Sequence, residues 1–411
     1  MGISCLQKIL DYVVDVRTTV LVGSTDFREL FKLRCVNKEF QVAFVPTKLA
    51  LPDQPNYEIL AFLRLLPKMI PLLQSLDFNS CRNAWSEAPE WLEVLANCTS
   101  LLSLKLRIWR CSIFGHPVPL TQAPTQASFD LLVKSHTNLR RLSLTGNDNI
   151  LDISALASLS KLERLNLSGN CNLTNISALA SLSTLERLNL NGNHNISNIS
   201  ALASLSTLKT LKLNSLSNIC SITPLSSLQG LECLQLTDTY VHESSECPNE
   251  TLSKLTNLVT LFWSEDVHRL NESTLAALPM LTNLVLEDVS YFGDNHILKT
   301  TKLTQLVSLR LSCSPSIDDA GLASFIGLKS LTAIMAPFCH SISDVGVASL
   351  ASIPSLRGLC LTCVDELTDT GLKALTTLTN LNQLDVKNCM KITKVGLEVL
   401  TSALPNIRLE F

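Results

Sequence analysis

Arginine recurs at one place of a short phrase that repeats along the chain. Arg141, Arg164 and Arg187 are each followed by leucine, a polar residue and leucine, and successive arginines are 23 residues apart. A guanidinium group carries a permanent positive charge and a planar fork of N–H donors that matches a carboxylate or a phosphate. If the fold stacks the phrases, the three side chains form a cationic column. The column suits an acidic or phosphorylated segment, and the alternative is a solvated face whose charges pair within the protein.

The other residues capable of chemistry form no recognisable catalytic or metal site. The seven histidines are scattered, and none pairs with another at the spacing of metal ligands. Cys360 and Cys363 have C-x-x-C spacing, but the absence of a second pair argues against zinc. The chain also lacks a P-loop, a nucleophile elbow and a dinucleotide-binding glycine motif. We therefore expect a protein that is not an enzyme and that binds no metal or cofactor.

The composition describes a folded chain and excludes several classes of partner. Of the 411 residues, 46% are hydrophobic and 17% are charged, and the formal net charge is −3. This charge argues against nucleic acid as the main partner, and no run of apolar residues is long enough to span a membrane. The first residues lack the basic region and cleavage site of a secretory signal. We expect a cytoplasmic or nuclear protein whose 14 cysteines are reduced. A secreted recognition protein would need such a signal.

The arginines belong to a repeat that decides the architecture. The phrases LRRLSLTGN, LERLNLSGN and LERLNLNGN start at Leu139, Leu162 and Leu185. A fixed period of this size means that one small unit stacks on itself and buries its apolar face against its neighbours. We number the places of the phrase from its first leucine, so that places 4 and 6 alternate and point into the core. An Asn or Cys at place 9 satisfies the backbone groups of a sharp turn, and stacked Asn amides predict a ladder.

This L-x-x-L-x-L-x-x-N/C pattern resembles the leucine-rich repeat, from about Leu73 to the C-terminus. The resemblance implies an α/β solenoid, a curved horseshoe with a parallel sheet on its concave side, over residues 49–411. Repeats of 23 residues leave room only for a turn or a short 3₁₀ or α segment after each strand. Repeats of 25 residues from Leu281 to Leu381 have an Asp and then a Gly, which predicts about two turns of helix with an acidic start. These longer repeats resemble the cysteine-containing subtype. We expect loops at about 111–127 and 237–250, where the period breaks.

The segment 1–48 lacks the repeat, and the spacing of its apolar residues predicts helices. The stretch DFRELFKLRCVNKEFQVAF at Asp26–Phe44 resembles the second half of an F-box, and Leu6–Tyr12 resembles its first helix. The segment departs from the F-box pattern because it lacks the Leu-Pro start, has a longer link and carries Asn37 in place of cysteine. The resemblance implies the substrate-recognition subunit of a Skp–cullin–F-box ubiquitin ligase. The residues that it implies for docking on a Skp-type adaptor are Leu6, Ile9, Leu10, Phe27, Leu30 and Val36. The alternative is a helical cap on a repeat scaffold without a ligase role.

Places 3, 5 and 7 of each strand point away from the core, onto the concave face of the predicted solenoid. There we expect a protein substrate to bind, on the arginine column, on the apolar stripe from Phe262 to Met335, or on both. The competing explanation for the stripe is that a loop or the C-terminal tail covers it. The candidate partner-binding residues are Arg141, Arg164, Arg187, Asn166, Asn189, Lys212, Phe262, Val285, Arg310 and Met335.

Overall fold

The computed structural model describes residues 20–21, 48–50, 74–77, 95–96, 98–107, 126–239, 241, 248–264, 270, 272–287, 303–312 and 317–411. The chain divides into two compact units, Met1–Leu208 and Lys209–Phe411. Both units repeat one element, in which a short strand is followed by a sharp turn and then by a short helical or irregular segment that leads to the next strand.

Strands of the first unit pair in sequence order, and every pair is parallel. They are β1 Val20–Leu21, β2 Lys48–Ala50, β3 Ser75–Asp77, β4 Ser103–Arg107, β5 Arg141–Thr145, β6 Arg164–Asn166 and β7 Arg187–Asn189. The helical segments are α1 Gln126–Ser135 and 3₁₀ turns at Ser154–Ser158, Ser177–Ser181 and Ser200–Ser204. The 3₁₀ turns confirm the prediction from the 23-residue period.

Strands of the second unit also pair in sequence order and in parallel. They are β8 Thr210–Lys212, β9 Cys233–Leu236, β10 Thr260–Ser264, β11 Asn283–Glu287, β12 Ser308–Ser312, β13 Ala333–Met335, β14 Gly358–Cys360, β15 Gln383–Asp385 and β16 Arg408–Glu410. The helices are α2 Pro248–Ser253, α3 Glu272–Ala276, α4 Asp319–Ala323, α5 Asp344–Leu350, α6 Asp369–Leu375 and α7 Lys394–Ala403. Further 3₁₀ turns lie at Thr223–Ser227 and Ser324–Gly327.

The core of each repeat is the leucine set that the period predicts. Leu162, Leu165 and Leu167 at places 1, 4 and 6 are no more than 2% exposed. Leu156 of the preceding 3₁₀ turn is fully buried as well. Apolar area removed from water stabilises a fold by about 25 cal/mol per Å², so the stacked leucines are the main favourable term for a chain of such short elements. The prediction of an inward apolar alternation along each strand is confirmed.

Asparagine at place 9 forms the predicted ladder in the first unit. The buried Asn170 amide nitrogen donates to the Leu144 carbonyl at 2.8 Å and to the Leu167 carbonyl at 2.6 Å. Its amide oxygen accepts from the backbone N–H of Asn147 at 2.7 Å. One side chain therefore bonds three backbone groups in two successive repeats, and the Leu167 carbonyl also accepts from the Asn193 amide nitrogen at 3.0 Å.

Place 9 is filled by other residues in the second unit. The Thr239 hydroxyl donates to the Leu213 carbonyl at 2.7 Å, and the Cys389 thiol donates to the Leu361 carbonyl at 3.0 Å. The Cys339 thiol points at the Leu311 carbonyl at 3.7 Å. These groups contact the carbonyl that corresponds to the Asn170 acceptor, but each offers a single donor, and a thiol donates weakly. Place 9 therefore keeps its contact with this carbonyl in the second unit, but it donates fewer hydrogen bonds than asparagine does in the first.

Place 8 of the turn requires a left-handed backbone. In the first unit it is Gly146, Gly169 or Gly192, with φ near +70°. In the second unit the same conformation is held by residues with side chains, at φ values of 49° to 60°: Ser215, Asp238, Phe338, Cys363 and Asn388. A side chain in this region costs about 1–2 kcal/mol relative to glycine, with asparagine among the better tolerated. The second unit therefore carries turn strain that the first avoids.

The helices of the second unit are joined by a second ladder. The carboxylate of Asp344, in the first turn of α5, accepts from the backbone N–H and the hydroxyl of Thr368 at 2.8 and 2.5 Å. Thr368 is the N-cap of α6, and its hydroxyl in turn accepts from the backbone N–H of Thr370. The pairs Asp319–Ser343 and Asp369–Thr393 repeat this arrangement. The acidic helix start predicted from sequence is therefore also a link between repeats.

Glycine follows each of these N-caps because the aspartate of the preceding repeat fills the space that a side chain would need. A Cβ atom on Gly371 would lie 2.5 Å from the Asp344 Oδ1 atom and 2.6 Å from the Leu367 Cδ1 atom. Gly346 and Gly396 meet the preceding aspartates in the same way. The Asp-x-Gly spacing of the 25-residue repeats is thus a packing requirement between neighbouring repeats.

Three predicted segments lie wholly or partly outside the described residues: 1–48, 111–127 and 237–250. The two helices of segment 1–48 lie outside the described residues, although β1 and the start of β2 place backbone of that segment in the parallel sheet. The predicted loops at 111–127 and 237–250 run into α1 and α2, which begin at Gln126 and Pro248. Sequence reasoning did not predict α1, whose Phe129 and Leu132 are buried.

Candidate protein-binding face

The outward side of the strands, here called the strand face, consists of places 3, 5 and 7. Along β5 the exposed Arg141 alternates with buried Leu142 and Leu144, and Ser143 is half-buried. The alternation continues in the strands of both units, as the period predicts. The side chains of the strand face therefore stand outside a core that is already complete behind them.

The three arginines form the column that their spacing predicts. Arg141 lies opposite Arg164 across the β5–β6 pair, and Arg164 lies opposite Arg187 across the β6–β7 pair. Arg141 and Arg187 are exposed and Arg164 is half-buried. None of the three forms an ion pair with a residue in the described part of the chain. The arginine column, defined as these three residues, therefore presents three positive charges that no described residue neutralises by an ion pair.

Glu163 directly precedes Arg164 in the sequence, but it does not offset the charge of the column. Glu163 pairs with Arg140 of the preceding repeat, which occupies place 2 beside it. Places 2 and 3 point to opposite sides of a pleated strand, so the carboxylate at place 2 is turned away from the column. Glu163 therefore pairs with Arg140 and not with an arginine of the column.

A second line of donors runs beside the arginine column. Ser143, Asn166 and Asn189 occupy place 5 of the same three strands and lie in register. The Asn166 side-chain oxygen accepts from the backbone N–H of Ser168, and that of Asn189 accepts from the backbone N–H of Asn191, both at 3.0 Å. These bonds occupy the amide oxygens and leave the NH₂ groups as donors on the strand face.

The second unit presents a mixed column at place 5. Its registered neighbours from β8 to β16 are Lys212, Gln235, Phe262, Val285, Arg310, Met335, Cys360, Asp385 and Glu410. Phe262 and Val285 are adjacent, as are Met335 and Cys360, but Arg310 separates the two pairs. The predicted apolar stripe is therefore two apolar patches with an exposed cation between them. The Arg310 Nε–H donates to the Ser312 hydroxyl at 2.8 Å.

A shallow depression of about 330 Å³ lies on the strand face of β13–β16. Ala333 and Gly358 at place 3 leave room there, while Met335 and Cys360 supply apolar side chains. Gln383, Asp385, Arg408 and Glu410 line the remaining side. Sequence reasoning missed this feature, whose only signal was the small residues at place 3 of two consecutive repeats.

Charges beside this depression are paired with one another. Glu410 contacts Lys387 at 2.6 Å and Arg408 at 3.3 Å. The hydrogen bond to Glu410 raises the pKa of Lys387, and the same bond lowers the pKa of Glu410. The contacts are exposed, so they contribute little stability. They nevertheless neutralise the cations locally, in contrast to the arginine column.

The described residues contain no group of three or more metal-ligating side chains, and no helix among them is long and apolar enough to cross a bilayer. The cysteines of this part of the chain, including Cys360 and Cys363, are free thiols. Burial raises the pKa of the Cys98 thiol to about 11, which suppresses its reactivity. The adaptor-docking candidates Leu6, Ile9, Leu10, Phe27, Leu30 and Val36 lie outside the described residues.

Comparisons with known proteins agree with this geometry. A family model described as Leucine Rich repeats (2 copies) matches residues 137–181, and no curated protein sequence matches the chain. An internalin (inlF) of Listeria monocytogenes is 26% identical, with 79% of this chain and 88% of that chain covered and a TM-score of 0.51. A leucine-rich-repeat protein of Leptospira interrogans is 19% identical over 92% of this chain and 86% of its own, with a TM-score of 0.53.

A further similar structure is a complex of TLR13 with ssRNA13. It is 18% identical, with 89% of this chain and 57% of that chain covered and a TM-score of 0.51, so it supports the fold alone. The matching family model describes a repeat and no enzyme. Together with the parallel strands and stacked leucines, these matches identify the chain as an α/β leucine-rich-repeat solenoid, a fold that indicates a role in protein–protein interaction.

Proposed function

We propose that this protein binds a protein partner on its strand face. The supporting observation is that both units expose ordered columns of side chains there, although the leucine core behind them is complete. These columns contain arginines that form no ion pair with a described residue in the first unit, and apolar patches in the second. Half-buried apolar side chains on a surface, combined with arginine, are typical of protein interfaces.

We propose further that the chain is the substrate-recognition subunit of a Skp–cullin–F-box ubiquitin ligase. The support is the sequence resemblance at Leu6–Tyr12 and Asp26–Phe44, ahead of repeats that resemble the cysteine-containing subtype. In this proposal the N-terminal segment docks on the Skp-type adaptor and the strand face holds the substrate. The alternative is a non-catalytic repeat scaffold whose N-terminal segment only caps the first repeat.

Adaptor binding separates these two roles. The full chain, its Leu30→Asp/Val36→Asp variant and a matched Val345→Asp/Val395→Asp variant are tested for retention of purified Skp-type adaptor. Val345 and Val395 are 72% and 66% exposed on the helical side of the second unit, so they control for adding two acidic groups. The ligase role predicts retention by the full chain and the control, and loss in the N-terminal variant. Failure of the folded full chain to retain the adaptor would leave the scaffold role.

The strand face is tested with a second pair of variants. Val285→Asp/Met335→Asp places two charges in the apolar patches of the strand face, and Val345→Asp/Val395→Asp again serves as the control. Quantitative mass spectrometry of affinity-captured proteins compares each with the unchanged chain. The proposal predicts partners that are lost only with the strand-face variant. Partners that respond only to the helical-side variant would place the binding surface elsewhere.

A further inference from the structure

We propose that the arginine column recognises an oxyanion on the partner, a phosphoryl or carboxylate group within an extended protein segment. The inference rests on the proposed function, since the segment belongs to the protein held on the strand face. It adds the chemical class of the ligand and assigns it to Arg141, Arg164 and Arg187 in the first unit.

The column has the dimensions of such a ligand. Neighbouring strands lie about 4.8 Å apart, so the three arginines span about 10 Å at their backbones. The register pairs Arg141 with Arg164 and Arg164 with Arg187, so each pair of neighbours can direct two guanidinium forks at one group. A phosphoryl group offers three acceptor oxygens, and a carboxylate accepts a bidentate fork.

The central arginine has an unsatisfied donor. The Arg164 Nε atom is buried and has no hydrogen-bond partner. A buried N–H without an acceptor is costly, particularly on a charged group. A ligand on the open side would meet the terminal nitrogens of the half-buried Arg164 and not this Nε atom, with the exposed Arg141 and Arg187 on either side.

The surroundings of the column supply donors and no acids. Places 3, 5 and 7 of its three repeats read Arg-Ser-Thr, Arg-Asn-Ser and Arg-Asn-Asn from Arg141 to Asn191. Because the amide oxygens of Asn166 and Asn189 accept from the backbone, their NH₂ groups remain as donors for a ligand. A partner surface that itself carries many hydrogen-bond donors would match this face poorly. An oxyanion flanked by peptide carbonyls can accept from the arginine column and from the asparagine side chains at place 5.

A peptide fits this face better than a nucleic acid. Binding to single-stranded nucleic acid depends on aromatic side chains that stack with the bases, and these nine places contain no aromatic residue. The chain as a whole carries a formal charge of −3, which opposes the long-range attraction that nucleic-acid binding uses.

Fluorescence anisotropy with three degenerate peptide pools tests the assignment on the full chain. The nonapeptide pools are identical except for a central phosphoserine, glutamate or serine, and a nine-nucleotide single-stranded RNA of random sequence forms a fourth probe. We expect the phosphoserine pool to bind at least tenfold more tightly than the serine pool. The glutamate pool distinguishes the two sources of oxyanion, since equal binding by glutamate and phosphoserine assigns an acidic segment.

The variant Arg164→Gln/Arg187→Gln is expected to lose at least tenfold in affinity for the anionic pools. Arg141→Gln/Arg187→Gln, which changes only exposed arginines, repeats the test if the first variant is misfolded by circular dichroism. Lys373→Gln/Lys394→Gln removes the same charge from exposed residues of the helical side and should bind as the unchanged chain does.

Three results would overturn the inference. They are equal binding of all peptide pools, full retention of binding by a folded arginine variant, and tighter binding of the RNA than of every peptide pool. Failure here is distinguishable from failure of the proposed function. If captured protein partners are lost with Val285→Asp/Met335→Asp but kept by the arginine variants, the strand face binds proteins and the arginine column is not their recognition site.

Discussion

The repeats that start at Leu139–Leu185 and those that start at Leu331–Leu381 solve the same folding problem with different chemistry. The earlier repeats turn on glycine and close the turn with an asparagine ladder. The later repeats turn on residues with side chains, place a weak thiol donor or an apolar residue at place 9, and link their helices through aspartate. The difference teaches that the stacking of leucines fixes the fold, whereas the hydrogen bonds between repeats can be moved from the turn to the helix.

The strand faces of these two groups of repeats also differ. The earlier group presents arginines that pair with no acidic residue in the described part of the chain. The later group presents apolar side chains and charges that pair with each other. One solenoid thus carries two surfaces with different chemical preferences. If both bind one partner, that partner needs an anionic segment and an apolar segment.

Removing a ladder residue should separate the two turn chemistries most strongly. Asn170→Ala leaves the buried Leu144 carbonyl and the Asn147 N–H without the partner that the amide gives them, and we expect a loss of about 3–5 kcal/mol in the free energy of unfolding. Cys389→Ala removes one weak donor and should cost about 1–2 kcal/mol. Urea denaturation of both variants measures the gap. Equal losses would show that the asparagine ladder has no special role.

The helix ladder is tested by filling the space beside an aspartate. Gly371→Ala forces Asp344 or Leu367 to move, and we expect a cost of about 2 kcal/mol even though alanine favours helix. Gly358→Ala is the matched control, because its Cβ would meet neighbours only at 3.9 and 4.0 Å. It should change the free energy of unfolding by less than about 0.5 kcal/mol. A tolerated Gly371→Ala would mean that the ladder does not restrict this glycine.

Exchanging the turn residues should change the stability of the two groups in opposite directions. Gly169→Ala introduces a side chain at φ +71° with no steric clash, so a loss of about 1 kcal/mol would come from conformation alone. Cys363→Gly, at φ 59°, relieves the same strain, and we expect a gain below about 1 kcal/mol because glycine also loosens the unfolded chain. Melting temperatures of the two variants check the signs. A destabilised Cys363→Gly protein would show that its turn is not strained.

Acid should weaken the helix ladder selectively, as the smallest of these effects. The Thr393 hydroxyl and N–H hold the pKa of Asp369 below its ordinary value, so this link stabilises the fold above about pH 4 and is lost as the pH falls through the lowered pKa. Part of the stability difference between the unchanged chain and Thr393→Val should therefore shrink between pH 5 and about pH 3. Thr401→Val removes another exposed hydroxyl of α7 and should show no such dependence. A difference that is constant with pH would exclude the carboxylate from the link.

The features that recur in every repeat could be predicted from sequence. The contacts that join neighbouring repeats could be predicted only in part. The leucines at places 1, 4 and 6, the asparagine ladder and the 3₁₀ turns follow from spacing and from the chemistry of one residue type. The aspartate was recognised as a helix-start residue, but its acceptance from Thr368 depends on the rise between repeats, which spacing does not give. The pairing of Glu163 with Arg140 depends on the same rise, since neighbours in sequence differ from neighbours in a stack.

The sequence predicts which side chains align on the candidate surface, but it predicts the shape of that surface less well. The columns at places 3 and 5 follow from the period, and the structure aligns them as expected. The depression beside Met335 and Cys360 was not predicted, because it arises from the small Ala333 and Gly358 side chains in adjacent strands. The interruption of the stripe by Arg310 was visible in the sequence, and its effect became clear only when the strands were placed in order.

Site-specific photo-crosslinking in cells tests most directly whether the strand face binds the partner. A benzophenone amino acid replaces Asn189 or Met335 on the strand face, or Val345 or Val395 on the helical side. We predict crosslinks to the same protein partner from the strand-face positions and none to it from the helical side. Crosslinks to a shared partner from Val345 and Val395 alone would contradict the assignment of the strand face as the binding surface.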